Sequence, residues 1–394
     1  MPPPNYDAGD YSQGTQDSYR GRGGGPLRGR GGPRGGGGGR GGARGGRARG
    51  GPRGGPRGGA RGGQTGGSHV PSSTKTSETQ PQQKSEFFSP LSFLEAWNGK
   101  FFSAYAIMLI TAIGLSVSSI LPLHSLVSGG RLIHCVAAWK TITENTWVRN
   151  VVRFGYRIPL RCKPVQHKIP SNPSSTGDAH QVLVEEALGL LKKGAVREVK
   201  DVDGQYILSY FAVPKPCNTK WRPMINLKRF NENIKHFKFK MECFKQVREW
   251  IQPNSYLIGI DLKDQFLSVS VNPSYRKFLR FKWLDKLFEW CSLPFGLKCS
   301  PRVVTKLLKP VIALLRSKFN IAISIYMDDM IIAADSPEKA YLHAQITILL
   351  LLCLGWEVNW EKSTLIPTQN LTHLGFEICT KTMTASCPAK KIEI

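Results

Sequence analysis

IAISIYMDDMIIAA, residues 321–334, is the stretch on which the reading of this chain turns. Apolar, β-prone residues flank two adjacent aspartates, which predicts a strand, a tight turn at Asp328-Asp329 and a returning strand. With flanks this apolar the hairpin is expected to be buried, and buried carboxylates need cations or strong partners. An Asp-Asp pair at a hairpin tip is common, so the tetrapeptide is a weak sign alone. A second acidic site precedes it in YLIGIDLKDQFLSVSV (Tyr256–Val271), where a predicted strand Tyr256–Ile260 delivers Asp261, with Asp264 and Phe266 following. One carboxylate at a strand end and two at a hairpin suit a pair of Mg²⁺ ions, which take few carboxylates, retained waters and substrate phosphates. Two such ions clamp the attacking and leaving oxygens of an in-line phosphoryl transfer. Spacing leaves open whether the sites converge.

Around these stretches the chain alternates strands and helices. Further strands are expected at Ile207–Val213, Met224–Leu227 and Leu267–Val271. Helical spacing runs from Asp178 to Gly194, where glycine suits the C-terminal stop. Ser300-Pro301 and Ser336-Pro337 each read as a cap followed by a first-turn proline. The first opens a helix that Pro310 should bend, and the second a helix reaching about Leu354. The pattern predicts an α+β domain with a mainly antiparallel sheet.

The N-terminal third has a different texture. Residues 20–67 carry twelve Arg, no acid and 26 of the chain's 41 Gly, including nine Arg-Gly-Gly triplets. Such a stretch has little apolar area to set against the entropy of ordering glycine, so residues 1–90 are expected to be disordered. Guanidinium groups that contact phosphates and stack on bases make it a candidate RNA-binding tail. A solubilising tail is the plainer reading. Residues 68–90 read as a polar linker. Net charge is −3 over residues 1–19, +12 over 20–67, zero over 68–100 and +17 over 101–394. That balance excludes a solvating acidic chain and favours nucleic acid or an anionic membrane. Nine Cys with no C-x-x-C pair argue against a structural zinc site or disulfide framework. The opening MPPPNYDAGD does not read as a secretory signal.

FFSAYAIMLITAIGLSVSSILPL (Phe101–Leu123) lacks charge and, at 1.5 Å per residue, is long enough as a helix to cross a bilayer. It is a candidate transmembrane helix within an apolar segment 91–128, with a buried core helix as the alternative. Residues 129–177 read as a connecting segment ahead of a globular domain at 178–394.

In order, the chain carries KWRPMINLKRFN (Lys220–Asn231), DLKDQF (Asp261–Phe266), LPFGLKCSPR (Leu293–Arg302), YMDD (Tyr326–Asp329), GWEVNWEKS (Gly355–Ser363) and LTHLGFEI (Leu371–Ile378). The series resembles that of a retroelement reverse transcriptase, a right-hand polymerase palm with part of the fingers. The upstream GGRLIHCVAAWKTIT and WVRNVVRFGYRIPL resemble the segment preceding this domain in DIRS-type (tyrosine-recombinase) retrotransposons.

The resemblance implies an RNA-directed DNA polymerase that uses two Mg²⁺ ions, with Mn²⁺ as a substitute. Its partners would be an RNA template, a DNA primer or RNA–DNA hybrid, and deoxynucleoside triphosphates. Asp261, Asp328 and Asp329 match the catalytic, metal-binding aspartates. Lys215 and Arg222 match the fingers residues that pair with the triphosphate, which needs donors without acceptors. Phe266 matches the bulky gate against a 2′-hydroxyl, and Gln265 beside it is larger than the usual residue and would crowd the site. Phe295 and Gly296 match the loop under the nascent base pair, and Lys362 the late lysine near pyrophosphate. Leu374, Gly375 and Phe376 match the primer-grip hairpin. Arg302, Lys306 and Lys309 would face the template, or simply form a solvated basic face. The resemblance also implies that residue 394 falls just past the primer grip, before the family's thumb and RNase H regions. Two rival functions remain: an inactive remnant that binds RNA, and a membrane-anchored protein held by residues 101–123. Nuclear and cytoplasmic residence both suit the chemistry.

Overall fold

The computed structural model describes residues 102–120, 126–215 and 220–387. The Arg-Gly-Gly tail, its linker and the expected disorder of residues 1–90 lie outside the described residues, as do Phe101 and 121–123 of the apolar run. The helices are α1 (Ala104–Ala112), α2 (Val136–Ile142), α3 (Thr146–Phe154), α4 (Gly177–Lys192), α5 (Lys228–Glu232), α6 (Phe244–Trp250), α7 (Pro273–Arg276), α8 (Ser300–Phe319) and α9 (Pro337–Cys353). The strands are β1 (Val196–Val199), β2 (Ile207–Leu208), β3 (Tyr210–Pro214), β4 (Trp221–Ile225), β5 (Tyr256–Lys263), β6 (Arg280–Trp283) and β7 (Lys286–Trp290). They continue with β8 (Ala322–Tyr326), β9 (Asp329–Ala334), β10 (Glu357–Val358), β11 (Thr364–Thr368), β12 (Asn370–His373), β13 (Phe376–Cys379) and β14 (Thr384–Ser386). The architecture is α+β and mainly antiparallel, as the sequence predicts.

The sheet that positions the site runs β10-β5-β9-β8, with β11 also on β5. β5 pairs antiparallel with β9 from Tyr256↔Ala334 to Asp261↔Asp329. Successive side chains in a strand face opposite sides. Ile258, Ile260 and Leu262 therefore join Met330 and Ile332 in the main core, which includes the buried faces of α8 and α9. Leu257, Ile331 and Ala333 face the other way. There they form a second cluster with Val247, Ile251, Leu371 and Ile378, which ties the β12–β13 hairpin to the sheet. By the same alternation Asp261 and Asp329 belong to this second face, away from the helices.

α9 explains the apolar run upstream. From Gln345 to Cys353 every residue of α9 is buried, so apolar neighbours are needed on more than one side. The sheet and α8 supply one side and α1 another. Ser103 caps α1 by accepting from Ala106 N, and its hydroxyl also donates to Gln345 Oε1 at 2.8 Å. Trp139 Nε1 donates to the Leu354 carbonyl at 2.9 Å. Phe102, Ile110, Leu115 and Ile120 are buried in the shared core, each contributing about 1.5–3 kcal/mol. The expectation of a spanning helix is corrected. α1 stops after nine residues, Gly114 follows at φ +82°, and a short 3₁₀ turn at Val117–Ser119 takes over. Among the described residues no helix is long and apolar enough to cross a membrane.

A second sheet, order β1-β7-β6-β2, and the hairpin β3–β4 stand beside the palm sheet. Two other expectations need correction. Leu267–Val271 is buried but is not a strand: Ser270 and Val271 make isolated bridges to Ser292 and Tyr156. The cap of α8 is Cys299, whose side chain makes no capping bond, and Ser300 is already helical and donates instead to the Pro294 carbonyl. Ser336 does cap α9, accepting from Lys339 N. The segment 129–177 is fastened through Gly129 N to Lys193 O and Gly130 N to Leu267 O, both 2.7 Å. A Cβ on Gly129 would overlap the backbone of Gly194, so this approach requires glycine.

Candidate active site

The acidic hairpin forms as its apolar, β-prone flanks predict, shifted by one residue. Tyr326 pairs with Asp329, so the turn residues are Met327 and Asp328, and Asp329 opens the returning strand. Met327 has φ +58°. Two-residue hairpin turns demand positive φ where glycine is favoured, so a methionine there costs about 1–3 kcal/mol. The Asp328 carbonyl is pinned by Leu262 N at 2.8 Å. The turn is thus held against β5 next to Asp261, and the two acidic sites converge.

The segment around β10 completes the surroundings. Asn359 N donates to the Asp261 carbonyl at 2.8 Å, and Asp261 N donates to Ser363 Oγ at 3.0 Å. Burial pushes the Asp261 carboxyl above its ordinary value and the charges of Asp328 and Asp329 push it further, while Lys362 and Asn359 oppose the rise. Burial likewise raises Asp328, with Asp329 repelling and Lys362 opposing. Lys362 is therefore within electrostatic reach of both carboxylates. Glu357 on β10 accepts from Arg131 and Lys263, each at 2.9 Å, and this fixes β10 to the segment 129–177 and to β5.

Among the described residues no group of three His, Cys, Asp or Glu side chains is gathered to hold a metal. Asp261 and Asp328 make a two-carboxylate site, whereas Asp329 Oδ1 lies 3.3 Å from His373 Nδ1. Two half-buried carboxylates whose charge is resisted by burial and mutual repulsion suit a hard divalent cation, which completes its shell with water and phosphate oxygens.

Phe266 is half-buried and meets Phe295 edge-on, ring centroids 5.3 Å apart at 81°, with Phe295 55% exposed. Gly296 has φ +82°. Its carbonyl accepts from Asn231 Nδ2, and Asn231 Oδ1 accepts from Lys298 N, both at 2.9 Å. One amide therefore clasps the loop below the aromatic pair. The Gln265 side chain is buried, 5% exposed, and its Oε1 has no hydrogen-bond partner. Lys193, just after α4, pairs with Asp264 at 2.9 Å and steadies the same turn.

Lys215 and Arg222 lie on the β3–β4 hairpin, where Val213 pairs with Arg222 and Lys215 N donates to Lys220 O at 2.9 Å. Neither side chain forms an ion pair among the described residues, and residues 216–219 between them lie outside these. Leu374 and Gly375, at φ +51° and +79°, form the two-residue turn of β12–β13. Phe376 stacks on Phe244 of α6 at 4.6 Å and 20°. Two α8 cations expected at the template are occupied with rings, Arg302 over Phe237 at 4.4 Å and Lys306 over Trp147 at 4.2 Å. Asn231, Asn359, Ser363 and His373 escaped the motif-based reading. All but His373 act through the backbone or one amide, for which sequence has no marker. All four nevertheless lie within quoted motifs.

The fold is α+β, with carboxylates raised at the end of the central antiparallel strands. More particularly, residues 213–378 match the family "Reverse transcriptase (RNA-dependent DNA polymerase)", and the chain carries a reverse transcriptase domain. The Pro-Pol polyprotein of Simian foamy virus type 1 is 26% identical over 213 residues, covering 54% of this chain and 17% of that protein. The Gag-Pol polyprotein of Bovine immunodeficiency virus (strain R29) is 23% identical over 57% of this chain and 15% of its own length. The Gag-Pol polyprotein of Avian reticuloendotheliosis virus reaches 32% over 30% of this chain and 11% of its own. The chain thus spans less than a fifth of the retroviral polyproteins it matches here. Among solved structures, a foamy viral protease-reverse transcriptase in complex with dsDNA aligns over 60% of this chain and 48% of its own, at 22% identity and TM-score 0.49.

Proposed function

We propose that this chain is the RNA-directed DNA polymerase of a DIRS-type retrotransposon, extending a primer 3′-hydroxyl with deoxynucleoside triphosphates on an RNA template. The observation that carries the reading is the Asp261–Asp328 pair at the end of β5 and the β8–β9 turn, with Lys362 in electrostatic reach. Asp261 and Asp328 hold the divalent cations, and Asp329 adds charge from the start of β9. Bound Mg²⁺, or Mn²⁺ in its place, would supply activation of the primer hydroxyl and stabilisation of departing pyrophosphate. Lys215 and Arg222 bind the triphosphate, and Lys362 meets its leaving end. Phe266 packs against the incoming sugar, with Phe295 and Gly296 below the nascent pair. Leu374, Gly375 and Phe376 hold the primer. The Arg-Gly-Gly tail captures RNA. Support for the DIRS-type assignment comes from the resemblance of residues 129–160. The domain itself extends upstream to Phe102, because α1 shares the core of α9.

The test is primer extension by the full chain on poly(A)–oligo(dT) with dTTP and Mg²⁺. Incorporation that requires Mg²⁺ is expected. A folded chain giving no incorporation above the protein-free background would overturn the proposal.

A further inference from the structure

His373 is the last residue of β12, directly before the Leu374-Gly375 turn, and its side chain is 1% exposed. Its buried neighbours on the same hairpin, Leu371 and Ile378, are apolar. An imidazole in such a place is costly, because Nε2 has no hydrogen-bond partner. The other ring nitrogen, Nδ1, lies 3.3 Å from Asp329 Oδ1, and that carboxylate is 40% exposed on its remaining side. A side chain needed only for packing would fill this position more stably with an apolar group.

We infer that His373 is a positioning residue: it orients the Asp329 carboxylate and so couples the primer-grip turn to the cation site. The inference rests on reading Asp261 and Asp328 as cation-holding groups. It adds a role for the third carboxylate. Asp329 is paired by register with Asp261, yet its charge is drawn toward β12 by the imidazole. Because His373 and Leu374 are consecutive, a single side-chain contact sets the distance between the primer-grip turn and the acidic turn. Partners that orient groups around a bound metal typically change its affinity or the activity 10–100-fold when removed.

The full chain, with primer–template bound and no dNTP present, is titrated with Mn²⁺ by electron paramagnetic resonance, so the readout needs no turnover. His373→Phe keeps a ring but loses Nδ1, and His373→Leu replaces it should the larger ring not be accommodated. His373→Asn keeps a polar group near the Nδ1 position. The apolar variant is expected to weaken Mn²⁺ binding about tenfold while melting no earlier than wild type, with His373→Asn restoring most of the affinity. In an Asp329→Asn background the apolar variant should add less than about twofold. Wild-type Mn²⁺ affinity in the apolar variant would overturn the inference, as would equal weakness in His373→Asn or losses that multiply independently. Failure of the proposed activity is read separately, from primer extension by the unsubstituted chain.

Discussion

Two β-hairpins carry the charged groups of the site, and they are built in opposite ways. The β8–β9 hairpin is interior: Ile323, Met330, Ile331 and Ile332 are buried, and β5 hydrogen-bonds its outer edge. Carboxylates are held there at the expense of stability: burial raises Asp328 and, on the adjoining β5, Asp261, and repulsion from neighbouring aspartates adds to the rise. The β3–β4 hairpin is a two-stranded sheet whose alternation leaves Arg222 and Met224 exposed. Lys215 and Arg222 on it make no ion pair among the described residues. An isolated two-stranded unit is marginal in water, so it depends on what packs against it. The difference separates two tasks. Chemistry on developing charge needs a rigid array, because a preorganised group does not reorganise at the moment of reaction. Capturing a triphosphate needs solvated cations that commit only when the anion arrives.

The sharpest way to break this contrast is to neutralise the interior hairpin. Asp261→Asn or Asp328→Asn should lower single-turnover incorporation by about 10²–10³-fold, as loss of one preorganised electrostatic group does, while primer–template affinity is unchanged. Next in size is the covering of α9. Ile110→Ala should destabilise the domain by about 2–4 kcal/mol in denaturant melts, because a fully buried side chain leaves a cavity. An upstream segment that were a mere appendage would leave stability unchanged. Arg222→Ala should then cost about 2 kcal/mol, roughly thirtyfold in kcat/KM for dNTP, the loss of a charge-assisted contact. Arg222→Lys should recover part of it, since charge survives and the planar fork does not.

The smallest effect has the opposite sign. A carboxyl whose folded pKa is raised binds its proton more tightly in the folded state. Above that pKa the ionised form opposes folding, and the opposition disappears as pH falls through it. Asp328→Asn should therefore melt higher than wild type at neutral pH without divalent cations, by about 2–4 °C for about 1 kcal/mol. The gain should vanish below the raised pKa.

The interior hairpin was also the most legible part of the sequence. Apolar β-prone runs around two aspartates fix a buried turn, and only its register, set by Met327 at positive φ, differs from the expectation. The Leu267–Val271 run shows why a similar texture misleads. Its backbone groups go to different partners: Leu267 O to Gly130, Ser268 O to Leu132, Ser270 O to Tyr156, Val269 O to Leu293 and Val271 N to Cys291. No single neighbour forms a ladder with it, so an alternating run that is buried throughout produces no strand. The apolar run at 101–123 was ambiguous for a related reason, since hydropathy does not distinguish lipid from the buried flank of α9. His373 was hidden because its partner is 44 residues away and meets it only through the packing of β12 beneath β5.

The measurement that tests the account most directly compares Asp328→Asn with Arg222→Ala in single-turnover incorporation over a dNTP series, at saturating primer–template and Mg²⁺. The account predicts that Asp328→Asn lowers the maximal rate, whereas Arg222→Ala moves the half-saturating dNTP concentration upward and leaves the maximal rate near wild type. A maximal rate lowered equally by both, or unaltered by Asp328→Asn, would contradict it.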